Sequence, residues 1–558
     1  MPIKPVLLEF NNCTGMDDRL DAPDRSPNDA FVIKDGYARD GMLWPRPGIS
    51  QMGSTTGRTQ LMYQFITTRS TAEAVSQTIA IVSGELYVYN WSTKAWTKKL
   101  ATADFTSAGI TFAVASNYQI FAATYNGYLI LHDSVHVPFQ WDGTPNGGLT
   151  NLANAPIAFG RPTVYYAKLF FILNSDQTTI RWSEENDATT GYVAGGFNNT
   201  WTLTQTISEP LTNIIGTNEG LYYFRQSGIG VIRGSVTPDF TTTGVHDAVS
   251  HEVGAGGFRA ATYYNGYIWF SDIQQRPWRF PLGGELEPIW KAFSRMFTEV
   301  EGSSVSSPTT TLYWANPFNI GEFQGLAPAV GNAFHNSFAP WRNQDFMLYN
   351  YYGWTTGSAS SVMVFSLSTG KALGWWDIGD VVTTTSQTPL LWPIQHPGSG
   401  SVVRGDQDWL IGVTATNGAS DVLSQFDMVT HFGQDLSTAY TPTFVVPMLG
   451  KATGVEYQFD QLTVTYYGVK ATSTMSADYV TSIAHYSTQM ATSVSISASD
   501  TSTAALQTRK RVVWGLGGIG GWIRPRLQFT ALNNAQPAIE SIAVLAYPSA
   551  ADPGMTTD

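Results

Sequence analysis

The sequence has a single cysteine, Cys13, in 558 residues. No internal disulfide can form, so cysteine usage gives no case for a disulfide-stapled secreted scaffold. No stretch approaches the about eighteen consecutive apolar residues of a membrane helix, so no such span is expected. The first ten residues, MPIKPVLLEF, hold no apolar h-region. The expectation is a chain made in a cytosol and used without cleavage. Charge is scarce too: Asp, Glu, Lys and Arg make up 13%, about half the usual share. Disorder is not the reason, because 43% of residues are hydrophobic and 13% aromatic. Basic residues are outnumbered, 31 to 43, for a net charge of −12. A broad nucleic-acid-gripping face is therefore not expected. An acidic wall past which DNA slides remains open beside ordinary solubility.

Catalytic signatures are missing as well. There is no Gly-x-Ser-x-Gly elbow and no phosphate loop. Gly228-Ile-Gly230 follows a strand pattern, but another strand pattern comes after it. Its glycines suit a hairpin turn and a bulge, not a dinucleotide fingerprint. His132 and His136 sit where a strand leaves into a loop, without a third ligand nearby. Glu184 with Glu185, or Glu285 with Glu287, offer carboxylate pairs that any large protein has by chance. No enzyme activity, metal or cofactor is expected.

What is present is repetition. From about Gln60 short runs alternate apolar and polar residues, the period of half-buried strands. Units begin near Thr78, Gln119, Lys168, Thr212, Arg259, Asp345 and Asp408. Each reads as strand, tight turn, strand, turn, and a strand ending in an aromatic. Ser83-Gly84, Asn126-Gly127 and Asn265-Gly266 stand where two-residue hairpin turns need positive φ. Tyr125-Asn-Gly-Tyr128 and Tyr264-Asn-Gly-Tyr267 match almost residue for residue. A period of roughly 40–50 residues with several strands is the β-propeller pattern. Spacing widens between about Arg295 and Phe346, which leaves the count at six or seven blades. Trp269, Trp278, Trp375 and Trp376 are read as packing between blades before serving as a sugar platform.

The expected architecture is all-β: an extended N-terminal arm (1–50), a degenerate six- or seven-bladed β-propeller (51–439), a C-terminal β-sandwich-like domain (440–550) and a flexible tail (551–558). The stretch from Met475, MSADYVTSIAHYSTQMATSV, is expected to form a short helix or a long loop. The arm carries Asp17, Asp18, Asp21 and Asp24, interrupted by Arg19 and Arg25. It lacks the regular ligand spacing of a calcium loop. It reads as a solvated or partner-bound segment that Pro and Asp keep from folding locally. The arm closes on Arg46-Pro47-Gly48, read as the point where the chain turns into the first blade, with Gly48 allowing a sharp turn. Arg509, Lys510, Arg511, Arg524 and Arg526 cluster near the C-terminus, and alternation puts Arg524 and Arg526 on one strand face.

Three features then coincide. They are the Asn- and Asp/Pro-rich arm ending in Gly-x-Leu-x-x-Arg-Pro-Gly (Gly41 to Gly48), the degenerate propeller, and the pair of Arg-bearing strands in RKRVVWGLGGIGGWIRPRLQFT. This order resembles the tail hub, or neck (packaged-DNA stabilisation), proteins of short-tailed bacteriophages. The resemblance implies a structural virion protein with no catalytic residue. It would assemble in the host cytoplasm as a homo-oligomeric ring, six copies being one candidate stoichiometry, below the portal and its adaptor. It would line or close the exit channel for double-stranded DNA and retain the packaged genome without reading its sequence. Candidate inter-subunit contacts are Asp17, Asp18, Asp21, Asp24, Arg46, Arg509, Arg511, Arg524 and Arg526. Two readings of the arm stay open: docking on a neighbouring copy, or packing back on its own propeller to close the ring of blades. The rival function is a carbohydrate-binding or carbohydrate-cleaving propeller.

Overall fold

A computed structural model describes residues 4–19, 26–67, 75–110, 120–190, 199–203, 209–234, 245–293, 337–352, 360–378, 391–395, 409–417, 420–427, 433–450, 455–467, 473–482, 488–489, 494–496, 509–532 and 536–548. The widened stretch after Arg295 lies outside them up to residue 336. The described residues are nearly all strand, with one short α-helix among them, Thr102–Ser107.

Small antiparallel sheets stand around an axis as a β-propeller. Blade 1 (59–100), blade 2 (121–151), blade 3 (158–202) and blade 4 (213–250) have four strands each, and blade 5 (261–281) has three described strands. Blade 6 is built from Ser337–Trp341, Phe346–Tyr352, Ser360–Ser366 and Ala372–Asp377. Blade 7 is built from Leu391–Gln395, Trp409–Asn417 and Ser420–Asp427. Six of these sheets are small and separate, while blade 6 is one end of a ten-stranded sheet. The innermost strands touch in chain order, and Leu391–Gln395 packs against Thr59–Thr67 to close a circle of seven.

The turns form as their residues require. Asn126 and Gly127 have φ of 48° and 77°, and Asn265 and Gly266 have 48° and 82°. These are the two positive-φ positions of a twist-matched hairpin turn. Between blades the core is aromatic: Trp141, Trp182, Trp269, Trp341, Trp375 and Trp376 are wholly buried. Trp278 is only half-buried and stacks over Phe270.

Blade 7 takes its outer strand from the other end of the chain. Gly48–Thr56 pairs antiparallel with Ser420–Asp427, with Ile49 opposite Phe426 and Gln51 opposite Ser424. A boundary at residue 50 therefore cuts through a propeller strand. Gly48 is the first residue of that strand and does not have positive φ; the left-handed residues described before it are Asn12 (57°), Asp35 (52°), Asp40 (51°) and Gly41 (79°).

The C-terminal part is a sandwich of two sheets. One is built on Tyr457–Tyr467 between Arg509–Gly515 and Ala538–Pro548. The other contains Thr443–Val445, Ile523–Ala531 and Ser473–Thr481. The stretch from Met475 thus begins as a strand and not as a helix or loop; alternate residues Met475, Ala477 and Tyr479 are buried, the signature of a half-buried strand. Leu462, Val464, Ile542 and Val544 share one continuous core with Phe444, Met475, Leu527 and Phe529.

The arm is the seam between the two parts. Val6–Asn11 adds a strand to Ala538–Pro548. Val32–Lys34 inserts between blade 6 and the sandwich, bridging in parallel to Trp375 and pairing antiparallel with Thr443–Val445. The hairpin Gly36–Arg39 with Met42–Pro45 sits against the sandwich through Leu43 and Ile539. Phe10, Phe31, Val32, Ile33 and Leu43 are all buried in the common core. The described arm therefore packs on its own chain and helps close the ring of blades.

Candidate functional site

The Arg-Pro-Gly motif sits at the crossing of every part of the fold. Arg46 is fully buried. Its Nε donates to Asp35 Oδ1 at 2.7 Å. Nη1 donates to Asp435 Oδ1 at 2.7 Å and to the Pro47 carbonyl at 3.1 Å. Nη2 donates to Asp435 Oδ2 at 2.5 Å and to the Asp377 carbonyl at 2.9 Å. All five donors of the guanidinium are thereby engaged. The Tyr440 ring lies 3.7 Å below its Cζ, and the Tyr440 hydroxyl donates to the Arg46 carbonyl at 2.5 Å. One side chain thus joins the arm (Asp35), the outer strand of blade 6 (Asp377), the segment after blade 7 (Asp435) and the start of the sandwich (Tyr440).

The carboxylates are themselves fixed. Asp35 Oδ1 accepts the Asp377 N–H at 2.9 Å, and Asp435 Oδ1 accepts the Ile49 N–H at 3.1 Å. Burial pushes Asp35 up to about 6, against the pull of Arg46. Burial also works against the charged guanidinium, but Asp435 and Asp35 outweigh it and hold Arg46 well above its ordinary value. Arg46 is thus charged at any physiological pH, and Lys could not replace it, having three donors and no planar fork.

The other sequence-selected residues divide sharply. Asp17 is buried and pairs with Arg19 at 2.6 Å; Asp18 is fully buried and its N–H donates to the Ala292 carbonyl at 3.1 Å. Asp21 and Asp24 lie outside the described residues. Arg526 is buried and pairs with Asp478 on the neighbouring strand, with Nε to Oδ1 at 2.7 Å. Arg524 is buried with its guanidinium 4.2 Å from the Phe31 ring centre. Arg46, Arg524 and Arg526 are enclosed by their own chain, so the expectation that they meet a neighbouring copy is not how they are used. Arg509 and Arg511 are different. They project from the exposed strand Arg509–Gly515, where Arg509 pairs with Glu540 at 2.6 Å and Arg511 reaches Thr463 Oγ1 at 3.2 Å. Among the described residues this strand is one edge of its sheet, and Val513 on it is 45% exposed.

The carboxylate pairs and histidines do not converge on a reactive centre. Glu287 pairs with Arg279 at 2.5 Å, and Glu184 lies 3.8 Å from Lys168. Burial pushes His132 down to about 4, so it is neutral, stacked on Phe121. His136 pairs with Asp133 at 2.7 Å. Among the described residues no three His, Cys, Asp or Glu are grouped to hold a metal.

A cavity of about 380 Å³ opens on the propeller axis, walled by innermost-strand residues of blades 1, 2, 5, 6 and 7 and by Arg161 of blade 3. Arg161, Arg259 and Arg342 line it, with Tyr63, Phe121, Tyr263, Tyr264, Phe338 and Trp392. Among the described residues lining it there is no carboxylate. Arg161 lies in a bulge of the blade 3 inner strand, where pairing skips from Phe159 to Thr163 and Gly160 adopts φ +70°. A Cβ on Gly160 would stand 3.2 Å from that of Phe258. Phe258 is wedged edge-on between Phe121 and Phe159 and so sets the position of Arg259. Arg259 donates one bond, from Nη2 to the Ile120 carbonyl at 3.0 Å, and lies 5.0 Å from the Phe121 ring centre. Burial, with Arg161 nearby, pulls Arg259 down to about 9. Arg342 lies 5.0 Å from the Tyr264 ring centre. None of these arginines carries a sequence signal, because each comes from a different blade.

No family model and no curated protein matches the sequence. Among solved structures, the extracellular domain of a hybrid two component system, BT4673, from B. thetaiotaomicron is similar at 9% identity and a TM-score of 0.36, over 74% of this chain. The chain spans only 42% of that protein. The computationally designed Ika8 protein is similar at 6% identity and a TM-score of 0.34, over 68% of this chain and 99% of its own. Likenesses at these scores bear on neither activity nor partners.

Proposed function

We propose that the chain is a structural component of a short-tailed phage tail, a hub or neck protein that forms a homo-oligomeric ring below portal and adaptor, bounds the DNA exit channel and retains packaged DNA. The observation that carries this reading is the seam. Arm, propeller and sandwich are laced into one body by a buried polar cluster around Arg46 that binds the chain to itself. Such a body suits a part that must keep its shape under load. The surface offered to neighbours is the exposed edge strand Arg509–Gly515, whose backbone groups, arginines and Val513 are suited to pairing with another chain. DNA would pass the ring without sequence-specific contact, in keeping with a net charge of −12.

The test is assembly. Purified protein mixed with portal–adaptor complexes of short-tailed phages should form rings visible by electron microscopy, and Arg509→Glu with Arg511→Glu should abolish them while leaving the melting temperature unchanged. Protein that neither binds such complexes nor self-associates at high concentration refutes the proposal. The carbohydrate reading is favoured by one observation, the aromatic and arginine-lined cavity on the propeller axis.

A further inference from the structure

We infer that the axial cavity of the propeller is a binding site for an acidic sugar, with Arg161 and Arg259 holding its anionic group and the surrounding tyrosines facing its ring. This stands apart from the proposed tail function, which needs no ligand there.

The cavity runs against the charge of the whole molecule. A chain with net charge −12 places Arg161 and Arg259 on one small cavity, and no carboxylate is among the described residues that line it. Gathering like charges in a confined space is unfavourable, and the cost is recovered when an anion arrives. Arg46 and Arg526, which are buried, each have an acidic partner, Arg46 in Asp35 and Asp435 and Arg526 in Asp478, whereas Arg259 is half-buried and Arg161 exposed at the cavity. Arg161 and Arg259 instead lie near each other, and among the described residues the hydrogen bond of Arg259 is the one to Ile120. Their positions are built: the bulge at Gly160 turns the blade 3 strand, and the Phe258 wedge carries Arg259. Bulges recur beside binding sites because they re-aim a side chain.

The rest of the wall points to a hydroxylated ring. Tyr63, Tyr263 and Tyr264 are half-buried and line the cavity, offering faces for a sugar ring, while the Tyr63 hydroxyl is already bonded to Thr124. Ser337 Oγ, also in the lining, is buried without a hydrogen-bond partner among the described residues. A buried hydroxyl left unpaired is costly, and a ligand hydroxyl would satisfy it. The volume of about 380 Å³ is at the small end of ligand sites, which range over about 300–1,000 Å³. It suits one sugar unit, free or at the end of a chain, better than a long oligomer. Guanidinium recognises carboxylate, sulfate and phosphate alike, so the shared chemistry is a sugar bearing one such group.

Isothermal titration calorimetry of the full chain at low salt tests this with glucuronate, N-acetylneuraminate, glucose and inorganic phosphate. One acidic sugar should bind, and at least about tenfold more tightly than glucose, the difference a single lost charged hydrogen bond makes. Arg161→Ala and, separately, Arg259→Gln should each weaken it about tenfold or more, with melting temperatures unchanged for Arg161→Ala, whose side chain lies open to the cavity. Tyr264→Leu should weaken the sugar and not phosphate. Absence of binding by both acidic sugars, or binding that survives both arginine substitutions, overturns the site. Phosphate binding as tightly as the sugars overturns the sugar assignment. None of these outcomes bears on ring assembly, which is read separately with portal–adaptor complexes.

Discussion

Replacing Arg46 with methionine leaves two buried carboxylates, Asp35 and Asp435, with no cation between them. Breaking a buried ion pair from one side costs about 3–5 kcal/mol, mostly from the charge left behind. The loss also removes donors from the Pro47 and Asp377 carbonyls and the cation under the Tyr440 ring. For a chain of 558 residues unfolding as one unit, the entropy at the midpoint is about 1.2 kcal/mol/K, so about 4 kcal/mol lowers Tm by only about 3 °C. The more telling result is the shape of the transition. Arg46 holds blade 6, blade 7 and the sandwich to the arm, so its loss should divide a single calorimetric peak into propeller and sandwich components. The triple variant Asp35→Asn, Arg46→Met, Asp435→Asn removes the stranded charges as well and should recover most of the stability. Differential scanning calorimetry of the three proteins decides the matter. If Arg46→Met melts in one transition at the wild-type temperature, the staple does not couple the domains.

Other expectations follow from single groups. Asp35 titrates near 6 when folded, against 3.8 unfolded, so the folded state binds its proton more tightly. Its contribution to stability should therefore fall by about 3 kcal/mol as pH rises from about 4 to about 6, and stay level above; the difference between wild type and Asp35→Asn in urea titrations across that range should show this slope. Cys13 is buried and its thiol is pushed up to about 12 by burial, so a thiol reagent should leave the native protein unmodified and label one site per chain in denaturant. Gly266→Val should cost about 1–2 kcal/mol in chemical denaturation, purely through backbone strain, since φ is +82° and a Cβ there meets nothing within 4 Å; an unchanged midpoint would mean that the hairpin readjusts.

What could be read from the residues was what depends on neighbours in sequence. The Asn-Gly turns at 126–127 and 265–266 and the alternating strands around them state their geometry locally, and the blades appear where they were expected. The sandwich was legible for the same reason. The role of Arg46 was only half legible. Arg-Pro-Gly did mark where the chain joins the propeller, but the partners Asp377, Asp435 and Tyr440 lie more than three hundred residues away. A lone aspartate in a polar loop announces nothing. The acidic arm misled for a related reason: Pro and Asp prevent local structure, yet Phe10, Phe31, Val32 and Ile33 anchor it in a core formed by distant strands. In the same way Arg524 and Arg526 looked like a surface pair, because alternation tells which residues share a face and not which face is covered. Arg161 and Arg259 became neighbours only when the circle of blades closed.

That circle has a temporal side. The partner of the strand Gly48–Thr56, Ser420–Asp427, is made some 370 residues after it. At usual elongation rates the interval is on the order of 20–70 s. Throughout it, the first strand waits as a naked edge while the blades accumulate as an open arc. The clasp cannot shut until Ser420–Asp427 has been made, and a chain cut short before it would expose that edge to capture by the edges of its own siblings.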